Sequence, residues 1–118
     1  MKNLKEKKIL LTGGAGFIGG HLVSRLLENL AEVFVVDIKI LPNSLFALES
    51  LSKKVQLKSI DVRDKQKILK LFKENDFDYV LHLAAVASVI SSYENPSLTL
   101  ETNIMGTVNV LEAARKSN

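Results

Sequence analysis

Residues 8–19, Lys-Ile-Leu-Leu-Thr-Gly-Gly-Ala-Gly-Phe-Ile-Gly, limit what this chain can fold into more than any other stretch. Ile9, Leu10 and Leu11 form a short, continuous apolar run, as expected of a parallel strand covered on both faces. The run stops at glycines with two overlapping spacings, Gly14-x-Gly16-x-x-Gly19 and Gly13-x-x-Gly16-x-x-Gly19. A glycine pattern alone marks only a tight turn. Between a strand and a helix it gains a mechanism: the backbone can approach a pyrophosphate closely, and the helix N-terminus offers free N–H groups and a positive dipole end. The stretch therefore points to dinucleotide binding.

The periodicity downstream repeats this unit. Ile18, Leu22, Leu26 and Leu30, widened by Val23 and Leu27, predict a first helix to about Asn29 with one face on a sheet. His21 falls beside the stripe and reads as a helix-surface histidine. Glu32–Asp37 is β-branched and apolar and predicts a second strand. Asp37 comes 18 residues after Gly19, which in a βαβ unit sets it beside the adenosine ribose. Its carboxylate can accept hydrogen bonds from the ribose hydroxyls and repels a 2′-phosphate, which favours NAD over NADP. The next residue is Ile38 rather than a basic one, with Lys39 just beyond.

Pro42-Asn43-Ser44 predicts a turn and an N-cap, followed by a short helix carrying Leu45, Leu48 and Leu51. Val55–Ile60 alternates as a third strand, at a sheet edge. Asp64 is placed to cap a helix from Lys65 to about Asn75, with Ile68, Leu71 and Phe72 inward. Phe77–Ala85 is apolar throughout and predicts a central fourth strand, with small Ala84 and Ala85 at the ligand end. His82 within it reads as a hydrogen-bonded core histidine rather than a catalyst. Val86–Pro96 reads as a loop with a serine cluster. From about Ser97 a long helix follows, with Leu100, Ile104, Val108, Leu111 and Ala114 as its inner stripe.

One helix between each pair of strands, with right-handed crossovers, gives an α/β, Rossmann-like, doubly wound parallel sheet in the order 3-2-1-4. The 118 residues have room for one domain, residues 1–118. There is no cysteine and there are only two distant histidines, so no metal site is expected. The net charge of +3 owes much to Lys2, Lys5, Lys7 and Lys8, a solvated lead-in with none of the aromatic interleaving of a nucleic-acid arm. Neither a secretory signal nor a run of transmembrane length is present, so the expected setting is the cytoplasm.

Several separated motifs together resemble the extended short-chain dehydrogenase/reductases. They are residues 12–19, Asp61-Val62-Arg63-Asp64, His82-Leu83-Ala84-Ala85 and residues 103–115. More narrowly, the chain is similar to the NAD-dependent nucleotide-sugar epimerases and dehydratases. That resemblance implies that Gly13, Gly16, Phe17, Ile18 and Gly19 hold the pyrophosphate and Asp37 the adenosine ribose. It places Asp61 and Val62 against the adenine, Leu83, Ala84 and Ala85 on the nicotinamide side, Ser88 near the sugar-nucleotide or nicotinamide pocket, and Asn103 as a structural residue behind the site.

The sequence also departs from the family. Leu30 stands where a glycine commonly ends the first helix, at a cost of about 1 kcal/mol if the position is left-handed, unless Asn29 takes that role. The family's hydride chemistry uses a Tyr-x-x-x-Lys pair. Here Tyr79 and Tyr93 are followed four residues later by Leu83 and Ser97, so no catalytic residue is assigned and the chain alone is expected to be inactive. The implied role is the N-terminal, NAD-binding portion of an enzyme that oxidises a sugar nucleotide at C4. Two alternatives share these motifs: a non-catalytic dinucleotide-binding module that docks on another chain, and part of a reductase acting on a non-sugar ketone. The open edge of the fourth strand and the last helix are candidate surfaces for self-association.

Overall fold

A computed structural model describes residues 3–117, so Lys2 of the basic lead-in lies outside the described residues. The chain divides into two compact units, one of residues 1–59 with 77–83 and one of residues 60–76 with 84–118.

The first unit is a four-stranded parallel sheet, β1 (Lys8–Thr12), β2 (Glu32–Asp37), β3 (Gln56–Ser59) and β4 (Tyr79–His82), in the order β3-β2-β1-β4. Central β1 pairs Leu10 with Phe34 on one side and with Val80 on the other. Ile9, Leu11, Val33 and Val35 alternate onto one face and share a core with Val23 and Leu26 of α1 (Phe17–Glu28) and with Phe46 and Leu51. Leu10, Phe34 and Val36 point to the opposite face and are buried too. There the ring of Phe34 meets Phe77 edge-on, 5.1 Å between centroids. The same strands thus bury both faces through alternate residues, as the unbroken apolar runs require.

α1 ends in a hydrogen-bonded C-cap. Leu30 N–H donates to Leu27 C=O and Ala31 N–H to Leu26 C=O, while Asn29 Nδ2 reaches back to Arg25 C=O. Asn29 does not take the left-handed role: it has φ −92°, and Leu30 has φ 59°. The apolar stripe expected of α1 loses both ends, because Ile18 and Leu30 are exposed and the buried residues are Gly19, Gly20, Val23 and Leu26. In α2 (Leu45–Leu48), Ser44 Oγ accepts Ala47 N–H as expected, but Phe46 rather than Leu48 is buried. β4 is apolar as read, yet it lies at the sheet edge and not in its centre.

In the second unit, α3 (Lys65–Glu74) is capped by Asp64, whose Oδ1 accepts Lys67 N–H, and buries Ile68, Leu71 and Phe72. The expected loop at 86–96 is instead largely helical: α4 (Val89–Glu94) and α5 (Pro96–Leu100). The serines make it so, because Ser88 Oγ accepts Ser91 N–H and Ser92 Oγ donates to Ser88 C=O. Asn95 then caps α5, with Pro96 at its first position.

A π-helical turn (Glu101–Met105) leads into α6 (Gly106–Ser117). α6 packs beside α3 and buries Gly106, Asn109, Val110 and Ala113. The stripe expected to face inward does the reverse: Leu100, Ile104 and Leu111 are 58, 55 and 65% exposed. A Cβ on Gly106 would lie 2.6 Å from Val62 Cγ2, and Asn109 Nδ2 donates to Val62 C=O at 2.9 Å. Close approach and this buried hydrogen bond select the small, polar face over the greasier one.

Leu30 is 64% exposed, so its side chain has little packing to lose. Leu30→Gly should raise unfolding stability by about 1 kcal/mol, read as a higher denaturant midpoint at unchanged slope.

Candidate dinucleotide site

In the first unit the glycine turn is pinned to the strands on either side of β1. Gly13 N–H donates to Val36 C=O of β2 at 2.8 Å, and Leu83 N–H, just past β4, donates to Thr12 C=O at 2.9 Å. Gly16 N–H closes the turn onto Gly13 C=O. Gly13 has φ 69°, a left-handed conformation suited to glycine. A Cβ on Gly19 would strike Gly13 C=O and lie 2.7 Å from Gly14 Cα, so that glycine lets α1 press against the turn.

α1 starts with Gly16 at its N-cap, with no capping side chain and no acidic residue in its first turn. Its first N–H groups have no partner within the helix, and Phe17 and Ile18 are exposed there. The Phe17 ring packs on exposed His21, 5.4 Å between centroids. Free N–H groups at a helix start are the kind that can receive an anion. Asp37, the last residue of β2, is half-buried; its Oδ2 accepts Ala15 N–H at 3.0 Å and its Oδ1 accepts Ile38 N–H at 2.8 Å. A hollow of about 360 Å³ beside it is lined by Ile38, Lys39, Ile40, Leu57 and Ser59.

Thr12 is fully buried, and its Oγ1 is hydrogen-bonded to His82 Nδ1 at 2.6 Å. His82 is thus a hydrogen-bonded, half-buried histidine, as its place in an apolar strand suggested, and burial pushes its imidazole below the ordinary value.

The second unit carries the other residues that the sequence singled out. Arg63 grips Asp61 through Nε and Nη2, at 2.7–3.2 Å, and its Nη1 reaches Glu101 at 3.3 Å. The Arg63 guanidinium holds the Asp61 carboxyl below the usual carboxylate range. Val62 is buried, and its carbonyl is held by Asn109. Sequence reasoning gives Asn109 no role of its own; the signal is a polar residue set between Val108 and Val110. Ala84 is half-buried and Ala85 exposed. Ser88 Oγ is engaged as the α4 cap.

Asn103 sits in the π-helical turn and clamps Val86 at two points. Val86 N–H donates to its Oδ1 at 2.7 Å, and its Nδ2 donates to Val86 C=O at 2.9 Å. Thr107 Oγ1 donates to Asn103 C=O. One side-chain amide thereby fixes the chain between Ala85 and Ser88. Among the described residues no cluster of three or more His, Cys, Asp or Glu could hold a metal, and no helix is long and apolar enough to cross a membrane.

Comparison with known proteins gives a consistent picture. The GDP-mannose 4,6 dehydratase family profile matches residues 10–118. A bifunctional UDP-glucose 4-epimerase and UDP-xylose 4-epimerase of Pisum sativum is 39% identical over 96% of this chain and 34% of its own length. The dTDP-glucose 4,6-dehydratase of Salmonella typhimurium is 38% identical over 92% of this chain and 31% of its own. The crystal structure of the Thermus thermophilus UDP-glucose 4-epimerase complex with NAD superposes with a TM-score of 0.80 at 42% identity, covering 93% of this chain and 34% of that one. The chain spans about a third of the length of these relatives.

The unfolded chain binds a proton at His82 that the folded chain resists. Stability is therefore complete above the unfolded histidine value of about 6.5 and is lost as the pH falls through the lower folded value. Thermal midpoints recorded from about pH 7.5 down to about pH 5 should decline, and His82→Gln should flatten that decline.

Proposed function

Because the chain belongs to the GDP-mannose 4,6 dehydratase family, we propose that it is the NAD-binding portion of a cytoplasmic nucleotide-sugar epimerase or dehydratase. The observation that carries the reading is the bond from Ala15 N–H to Asp37 Oδ2. It sets a ribose-accepting carboxylate against the turn that would take the pyrophosphate. The residues present fit the cofactor, since the first turn of α1 contains no acidic residue and no side chain caps its N–H groups.

In this reading Gly13, Gly16, Phe17, Ile18 and Gly19 receive the pyrophosphate, and Asp37 accepts the ribose hydroxyls. Asp61 and Val62 lie against the adenine, Leu83, Ala84 and Ala85 line the nicotinamide side, and Ser88 stands near the substrate. Bound NAD supplies a hydride acceptor. The side chains here bind and orient; no Tyr-x-x-x-Lys pair occurs among the 118 residues, and no turnover of UDP-glucose or dTDP-glucose is expected from them alone.

The exposed face of the last helical segment favours a second element of the proposal, self-association. Ile104, Val108 and Leu111 recur at helical spacing on the solvent side, with Leu100 and Met105 beside them. A cluster of this kind on one side of a helix is the usual mark of a contact surface.

Calorimetry should show NAD binding more tightly than NADP, and the reverse order would misplace Asp37. Gly16→Val should abolish NAD binding while leaving the sheet folded: the φ of −75° there admits any residue, and a Cβ, at a tight 3.3 Å from Gly13 C=O, crowds the turn and not the strands. In sedimentation, Ile104→Glu with Leu111→Glu should shift the chain to a monomer; an unchanged distribution would move the contact to the β4 edge.

A further inference from the structure

Each N–H of the glycine turn for which a partner is found is turned inward. Gly13 N–H goes to Val36 C=O, Gly16 N–H to Gly13 C=O, and Ala15 N–H to a side chain, Asp37 Oδ2, 22 residues away. Successive residues of β2, Val36 by its backbone and Asp37 by its carboxylate, therefore hold alternate residues of the turn. Ala15 is itself buried, so its amide depends on a protein partner. The other carboxylate oxygen is steadied by Ile38 N–H at 2.8 Å, which fixes the plane of the group. A carboxylate oxygen has two lone pairs, so Oδ2 can hold Ala15 N–H and still accept a ribose hydroxyl.

We propose that Asp37 is a positioning residue for the diphosphate turn, distinct from its part in ribose recognition. By holding Ala15 N–H it fixes the turn, so that the first N–H groups of α1 meet the anion. The inference rests on the dinucleotide reading above. It makes an unusual demand, because a carboxylate this near the α1 N-terminus repels a diphosphate through space. Its removal should strengthen anion binding on charge alone, and weaken it if the hydrogen bond positions the turn.

Inorganic pyrophosphate, which has no ribose, separates the two roles. Competition calorimetry at fixed ionic strength should show Asp37→Ala binding pyrophosphate about tenfold more weakly than the wild type, the worth of one hydrogen bond to a charged group. Asp37→Asn, which keeps an acceptor oxygen and loses the charge, should bind it at least as tightly as the wild type. Equal or tighter pyrophosphate binding by Asp37→Ala would overturn the proposal. Amide hydrogen exchange of the ligand-free chain gives an independent readout: Asp37→Ala should lose protection at Ala15 while Gly13 keeps its own, and retained protection at Ala15 would also overturn it. If the wild type bound neither NAD nor pyrophosphate, the dinucleotide reading would fail, and the exchange result would still decide whether Asp37 holds the turn.

Discussion

The anchoring of one short turn by hydrogen bonds from β2 on one side and β4 on the other governs the first unit. Gly13 N–H to Val36 C=O and Leu83 N–H to Thr12 C=O prolong the β1–β2 and β1–β4 ladders past the end of β1. The turn is thus an extension of the sheet rather than a loop resting above it. The left-handed Gly13 and the close approach at Gly19 follow from that anchoring, since the chain must reverse within a few residues and send α1 back along the face it covers. The helix start, and with it the direction of its first N–H groups, inherits its position from the two ladders.

Side-chain amides do related work in the second unit. Asn103 and Asn109 each use a short, rigid side chain to satisfy backbone groups of irregular segments, at Val86 and at Val62 with Arg63. An asparagine suits this because it carries donor and acceptor together. Asn103 uses both on one residue, which a carboxylate or an alkyl group of the same size could not do. The π-helical turn that carries it widens the helix by one residue, and Thr107 Oγ1 bonds the Asn103 carbonyl there.

Much of this was legible in the sequence where pattern and mechanism coincided. The sheet order, the glycine turn at its centre, the caps at Ser44 and Asp64, and the inward Ile68, Leu71 and Phe72 all rest on local chemistry or on simple periodicity. The inward face of the last helix is not legible in its periodicity, because that face is chosen by tertiary contact. Gly106 and Asn109 are ordinary surface residues by hydropathy, and only the approach to Val62 turns them inward. The π-helical turn also shifts the phase of any stripe drawn across it. The serine cluster after Val86 reads as a loop because serine favours turns, whereas the same backbone-seeking hydroxyls begin a helix here. The bond from Ala15 to Asp37 has no signal beyond the 18-residue spacing, which puts the carboxylate at the end of β2 without showing that the turn would be held by it.

The pairing of β1 with β4 has a consequence for how the chain is made. Leu10 meets Phe34 across 24 residues, but Val80 only across 70. The longer closure costs about 1 kcal/mol more entropy, and it waits on residues synthesised well after the glycine turn. On a ribosome the turn would emerge early with only its β2 anchor available. Its second anchor, at Leu83, arrives after all of α3 has been translated. For that interval β1 presents an unpaired apolar edge to the cell. The order of synthesis, more than the final stability, sets when this chain is most exposed to misassembly.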